Sequence, residues 1–185
     1  MIKDILKDTD TRMHKAIDVV RQELVKLRTG KATTTLLDGI RVDYYGVQTP
    51  LSQVGNVSVV DIHTLTVTPW DKSMLDAIVK AIQAANLGLN PVKEADLVRI
   101  PIPPLNEERR RELVKLAKKF GEDGKIAIRN IRRDAIEHLK KAEKAEHLSE
   151  DDRKRGEAEI QKLTDKAVKE IDTLLAHKEK EIMEV

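Results

Sequence analysis

The chain has 185 residues, 36% of them charged, yet a formal net charge of only +2, so its partners are not declared by bulk charge and the distribution has to be read instead. It holds no cysteine, which excludes a disulfide framework and thiolate chemistry and fits a reducing compartment, the cytoplasm. No apolar run approaches the ~18 residues of a membrane span, and Met1–Asp8 alternates charge with apolar residues, so a soluble chain with no membrane partner is expected.

From Ile2 to Leu27 the apolar residues Ile2, Leu6, Met13, Ala16, Ile17, Val20, Leu24 and Leu27 recur near a 3.6-residue period, which predicts one amphipathic helix ended by Thr29-Gly30. The texture then changes. Ile40–Tyr45, Val57–Val60 and Leu65–Val67 are alternating or β-branched, with Gly46 and Pro50 as turn residues, and predict strands. A helix from Lys72 to Ala85 with Asp71 as its cap follows, stopped at Asn86-Leu87-Gly88, and a last strand leads to Arg99-Ile100-Pro101. The three aromatic rings of this stretch, Tyr44, Tyr45 and Trp70, are expected in its core and rim.

A second long helix is predicted from Asn106, with Leu113, Leu116, Phe120, Ala127, Ile131, Ala135, Leu139 and Ala142 as its stripe, running through Gly121 and Gly124. A third starts at Ser149 as N-cap, with Glu150, Asp151 and Asp152 favouring the helix dipole, and carries Ile160, Leu163, Ala167, Ile171, Leu174 and Ile182. Three single-striped helices can bury their stripes only against one another. The expectation is an α+β chain: a three-helix bundle from residues 1–29 and 105–185, with a small α+β domain, 30–104, inserted between helices one and two. Chain crosses that boundary twice, through Thr29, Gly30, Lys31 and through Pro103, Pro104, Leu105, a paired crossing that suggests a limited hinge.

The basic excess is local: residues 105–147 hold 13 basic against 9 acidic side chains, and residues 148–185 hold 8 against 11. Lys125, Arg129 and Arg133 form an i, i+4, i+8 row with Arg132 beside it, expected on the face opposite the apolar stripe. Neither Arg129 nor Arg132 has an acidic residue three or four positions away. Like-charge neighbours of this kind cost a helix about 1 kcal/mol in total, which points to an external anion, and arginine's planar fork suits phosphate oxygens.

Catalytic chemistry is not indicated. Gly30-Lys31-Ala32-Thr33 lacks the hydroxyl residue and the earlier glycine of a phosphate-binding loop, having Ala32 and Val25 there. The five histidines have no ligand spacing, no Ser/His/Asp set is present, and no metal or cofactor is expected. On residue patterns alone a coiled-coil scaffold and a general RNA chaperone stand as alternatives to a specific RNA-binding factor.

The runs Arg28-Thr29-Gly30-Lys31-Ala32, Leu36-Leu37-Asp38-Gly39-Ile40, Tyr44-Tyr45-Gly46, Leu87-Gly88-Leu89-Asn90-Pro91, Pro103-Pro104-Leu105, Glu107-Glu108-Arg109-Arg110, Ile128-Arg129-Asn130-Ile131-Arg132-Arg133, Ser149-Glu150-Asp151-Asp152 and Gln161-Lys162-Leu163-Thr164-Asp165 lie in order along the whole chain. Together they make it resemble the bacterial ribosome recycling factors. Departures are small: Asn106 stands for a usual threonine, Lys31 for arginine and Asn86 for aspartate. The resemblance implies an L-shaped α+β fold whose small domain is sandwich-like (β/α/β). It implies a monomer that is no enzyme, that binds the large ribosomal subunit (23S rRNA) of the 70S ribosome after termination, and that splits it with elongation factor G and GTP. It also implies Arg132 as the principal RNA contact, assisted by Arg129 and Arg133, with Arg28, Arg109 and Arg110 as basic positions near the hinge.

Overall fold

Apolar spacing near 3.6 yields helices where expected. In the computed structural model, which describes residues 1–145 and 147–184, α1 spans Ile2–Val25, α4 Glu107–Lys144 and α5 Glu150–Met183. The Ser149 hydroxyl accepts from the Asp152 amide and caps α5. These helices form one unit, Met1–Arg28 with Glu107–Val185; Thr29–Asn106 forms the other.

In the helical unit, Met13, Ile17, Val20 and Leu24 of α1 are buried with Leu113, Ile128, Ile131 and Leu139 of α4 and Ile160, Ala167 and Ile171 of α5. The two α4 glycines do not break the helix because they belong to its buried face. A Cβ on Gly124 would collide with Val20 Cγ2, and one on Gly121 would lie 3.0 Å from Leu175 Cδ2. The stripe therefore runs through Ala117, Gly121, Gly124 and Ile128. Leu116, expected within it, is 36% exposed. On α5, Thr164 takes a buried place beside the expected aliphatics, its hydroxyl donating to the Ile160 carbonyl at 2.8 Å so that no polar group is left unmatched.

The second unit is built on a four-stranded antiparallel sheet in the order β3-β4-β6-β5, with β3 Gly55–Asp61, β4 Thr64–Pro69, β6 Val98–Pro101 and β5 Val92–Lys93. A separate hairpin pairs β1, Arg41–Tyr44, with β2, Val47–Pro50, followed by a single helical turn, α2, Leu51–Val54. Asp71 accepts from the Ser73 amide and starts a 3-10 turn, Lys72–Met74, which leads into α3, Leu75–Ala84. The core is wholly aliphatic apart from Met74, centred on Val42, Leu65, Val67, Ile78, Ile82, Val98 and Ile100. The expectation that rings would help fill it is wrong: Tyr45 and Trp70 are each 71% exposed and Tyr44 is 39% exposed. Tyr45 sits at positive φ in the β1–β2 turn and donates its hydroxyl to Asp71, which holds its ring outside.

The segments that enter and leave this unit are tied to one turn of it. Ala32 N–H donates to the Ile62 carbonyl and Ile102 N–H to the His63 carbonyl, each at 2.7 Å. His63 Nδ1 lies 2.9 Å from the Gly30 carbonyl, which can only accept, so this nitrogen carries the proton. Gly30 has φ +74, and a Cβ there would lie 3.0 Å from Leu105 Cγ, so conformation and space both call for glycine.

Candidate nucleic-acid interface

Arg132 follows Ile131, which is buried, and lies one helical turn beyond Ile128, which is fully buried. Its side chain therefore emerges at the flank of the buried stripe rather than on the opposite face. It is half-buried, and its Nε is buried with no hydrogen-bond partner. Lys125, two turns earlier, is likewise at the flank, 20% exposed. Arg129 and Arg133 are exposed.

The four cations are not equally spare. Lys125 is neutralised by Asp172 of α5, and Arg129 donates to Glu122 at 3.2 Å, seven residues away and so outside the three-or-four spacing that sequence inspection covers. Both corrections shrink the surplus. Arg132 and Arg133 have no ion pair among the described residues, and the neighbouring Asp134 does not serve them because it pairs with Arg12 of α1 at 2.9 Å. Residues one or two apart on a helix do not face each other, so Asp134, turned to Arg12 of α1, is poorly placed to serve either arginine.

Arg153 of α5 shows what a structural arginine looks like in the same unit. Its side chain is 17% exposed and is held by Glu157 and Glu143. The Glu157 hydrogen bond, helped by the charge of Glu143, raises its pKa above the ordinary arginine value. Arg132 is likewise half-buried, and no carboxylate among the described residues matches its charge.

The remaining basic positions lie elsewhere. Arg110 stands roughly 33 Å from Arg132 along α4 at 1.5 Å per residue. Its Nε is also buried without a partner. Arg109 pairs with Glu112 at 3.0 Å, and Arg28 is exposed near the end of the α1 segment. Arg129, Arg132 and Arg133 thus lie on one stretch of α4, and Arg28, Arg109 and Arg110 lie outside it. Sequence reading missed His63, whose role as a tie depends on a contact 33 residues away and leaves no local signature. Among the described residues no cluster of His, Asp or Glu is arranged to hold a metal, and no helix is long and apolar enough to cross a membrane.

A helical bundle interrupted after its first helix by an α+β unit, with unmatched guanidinium groups on the second long helix, defines the class of the chain as a two-unit α+β protein with a cationic helix face. The family model described as Ribosome recycling factor matches residues 20–183. The ribosome-recycling factor of Ralstonia pickettii (strain 12J) is 53% identical over 184 residues, covering 100% of this chain and 99% of that protein. A solution structure of the ribosome recycling factor aligns with a TM-score of 0.78 at 42% identity, over 100% of this chain and 98% of the other. A second solved structure, described as models for the T. thermophilus ribosome recycling factor and the E. coli elongation factor G bound to the E. coli post-termination complex, aligns with a TM-score of 0.64 at 46% identity and full coverage of both chains. The chain belongs to the ribosome recycling factor family and is a translation factor, not an enzyme.

Proposed function

We propose that this chain binds the post-termination 70S ribosome in the cytoplasm as a monomer and, with elongation factor G and GTP, promotes its dissociation into subunits and its release from mRNA. The helical unit holds the large subunit through 23S rRNA. Arg132 is the principal phosphate contact, Arg133 joins it directly, and Arg129 joins by exchanging its exposed Glu122 partner for phosphate. Such an exchange costs little because an exposed pair is worth at most about 1 kcal/mol. Arg28, Arg109 and Arg110 form a second, weaker group. Thr29, Gly30, Lys31, Pro103, Pro104 and Leu105 form the hinge on which the inserted unit moves when elongation factor G acts on it. The observation that carries the reading is a half-buried Arg132 with no carboxylate partner among the described residues, a state it shares in the bundle with Arg110, whereas the half-buried Arg12 and Arg153 are each matched by carboxylates.

Binding to vacant 70S ribosomes measured against salt tests the site. The parent's affinity should fall steeply as salt rises, and Arg132→Ala should flatten the log–log slope by about 1, one lost phosphate contact. Superimposed curves would remove Arg132 from the interface. A disulfide engineered between the entering and leaving segments tests the hinge: ribosome affinity should be retained and subunit splitting abolished, and unimpaired splitting would remove hinge motion from the mechanism.

A further inference from the structure

On the side of α4 that faces α1, the surface is of another kind. Between α1 and α4 lies a groove of about 340 Å³, lined by Val19 and Val20 of α1 and by Phe120 and Gly124 of α4. Its charged lining is purely acidic, Glu23 and Asp123. Val19 is 58% exposed, and Leu116, one turn before Phe120, is 36% exposed, so the apolar strip continues past the groove. Glu23 shares its charge with Lys26 at 3.2 Å, whereas Asp123 is exposed and has no partner among the described residues. Close helix approach at Gly124 explains the groove's floor. Nothing in the bundle's packing requires Val19, Leu116 and an unpaired carboxylate to sit together on an open face.

We infer that this groove is a docking site for a protein segment that carries lysine or arginine beside an aliphatic or aromatic anchor. Three observations select that occupant. The groove has room for one or two anchoring side chains, whereas a stable dimer engages about 20–30 residues a side, which argues against a second copy of the chain. The carboxylates repel phosphate, which argues against RNA. A basic segment answers the unpaired Asp123 while its anchor covers Val19 and Phe120. On an RNA-rich particle the two sides of α4 then sort partners by charge, the arginines taking phosphate and the groove taking basic protein.

This inference rests on the ribosome-binding reading, and one experiment separates the two. Because the chain has no cysteine, Lys15→Cys, one turn before Val19, exposed and outside the groove's lining, offers a single site for a benzophenone maleimide. The labelled full-length protein is bound to purified vacant 70S ribosomes, sedimented and irradiated. The expected result is an adduct to a ribosomal protein, mapped by mass spectrometry to a lysine- or arginine-containing segment. Adding Asp123→Lys should cut adduct per sedimented molecule at least fivefold, and the milder Asp123→Asn about two- to threefold, with helical circular dichroism unchanged. Normal sedimentation with adducts to rRNA, to a second copy, or to nothing would overturn the docking site and leave ribosome binding standing. So would a protein adduct indifferent to both substitutions. Failure to sediment would overturn both.

Discussion

At three glycines of the bundle the atoms in the way of any larger residue are side-chain methyls: Leu175 over Gly121, Val20 over Gly124, Leu139 over Gly156. In the inserted unit the tight place is Gly55, where a Cβ would lie 2.6 Å from the Thr68 carbonyl oxygen and 2.8 Å from Pro69 Cα, both backbone. A side chain can turn aside; backbone held in register in a sheet moves far less readily. The bundle is therefore the more forgiving unit toward added atoms at these positions.

The single tryptophan lies in the inserted unit and the three long helices in the other, so Trp70 fluorescence and far-ultraviolet circular dichroism follow the two units separately. The largest effect should come from Leu139→Ala, which empties a fully buried site against Gly156 and Ile160 and should cost about 2–5 kcal/mol, read by circular dichroism. A loss under 1 kcal/mol would mean that the helices close over the gap. Next is the glycine contrast. Gly55→Ala should destabilise the inserted unit by roughly 1–3 kcal/mol, seen in the fluorescence melt. Gly121→Ala, meeting only the movable end of Leu175, should be neutral or stabilise the bundle by up to about 1 kcal/mol through helix propensity. Equal penalties at the two positions would erase the distinction between side-chain and backbone obstacles.

The smallest effect is set by pH. Hydrogen bonds from the Ser73 hydroxyl and amide, and from the Tyr45 hydroxyl, hold the Asp71 carboxyl below the usual range. A depressed carboxylate stabilises the fold fully above its unfolded pKa and stops doing so as pH falls through the folded value. Acidification should thus loosen the 3-10 turn at Lys72–Met74 only below the ordinary aspartate range. An Asp71 resonance titrating at the normal value would show those bonds to be absent.

The long helices were legible because periodicity survives any partner: α1, α4 and α5 begin and end within a few residues of where stripe and cap residues put them. Which edge of a stripe is buried was less legible. Leu116 looks more buriable than Gly121, but helix proximity favours the residue without a side chain, and that proximity is a property of two helices at once. The short strands β2 and β5 escaped notice because Val47–Pro50 contains a proline and Val92–Lys93 is two residues long. The arginine row was assigned to its helix but not to its face, since Lys125 and Arg132 lie at the flank of the buried stripe, and its spare charge was overstated. Asp172, which neutralises Lys125, lies on another helix, and Glu122, which meets Arg129, is two turns away on its own.

Hydrogen bonds from one β-turn to both crossing segments have a mechanical consequence. Because Ala32 and Ile102 are stitched to consecutive residues, Ile62 and His63, and Gly30 to the ring of the latter, inward and outward passages cannot twist independently. Torsion applied to either segment is therefore shared by both through the same turn of the inserted unit.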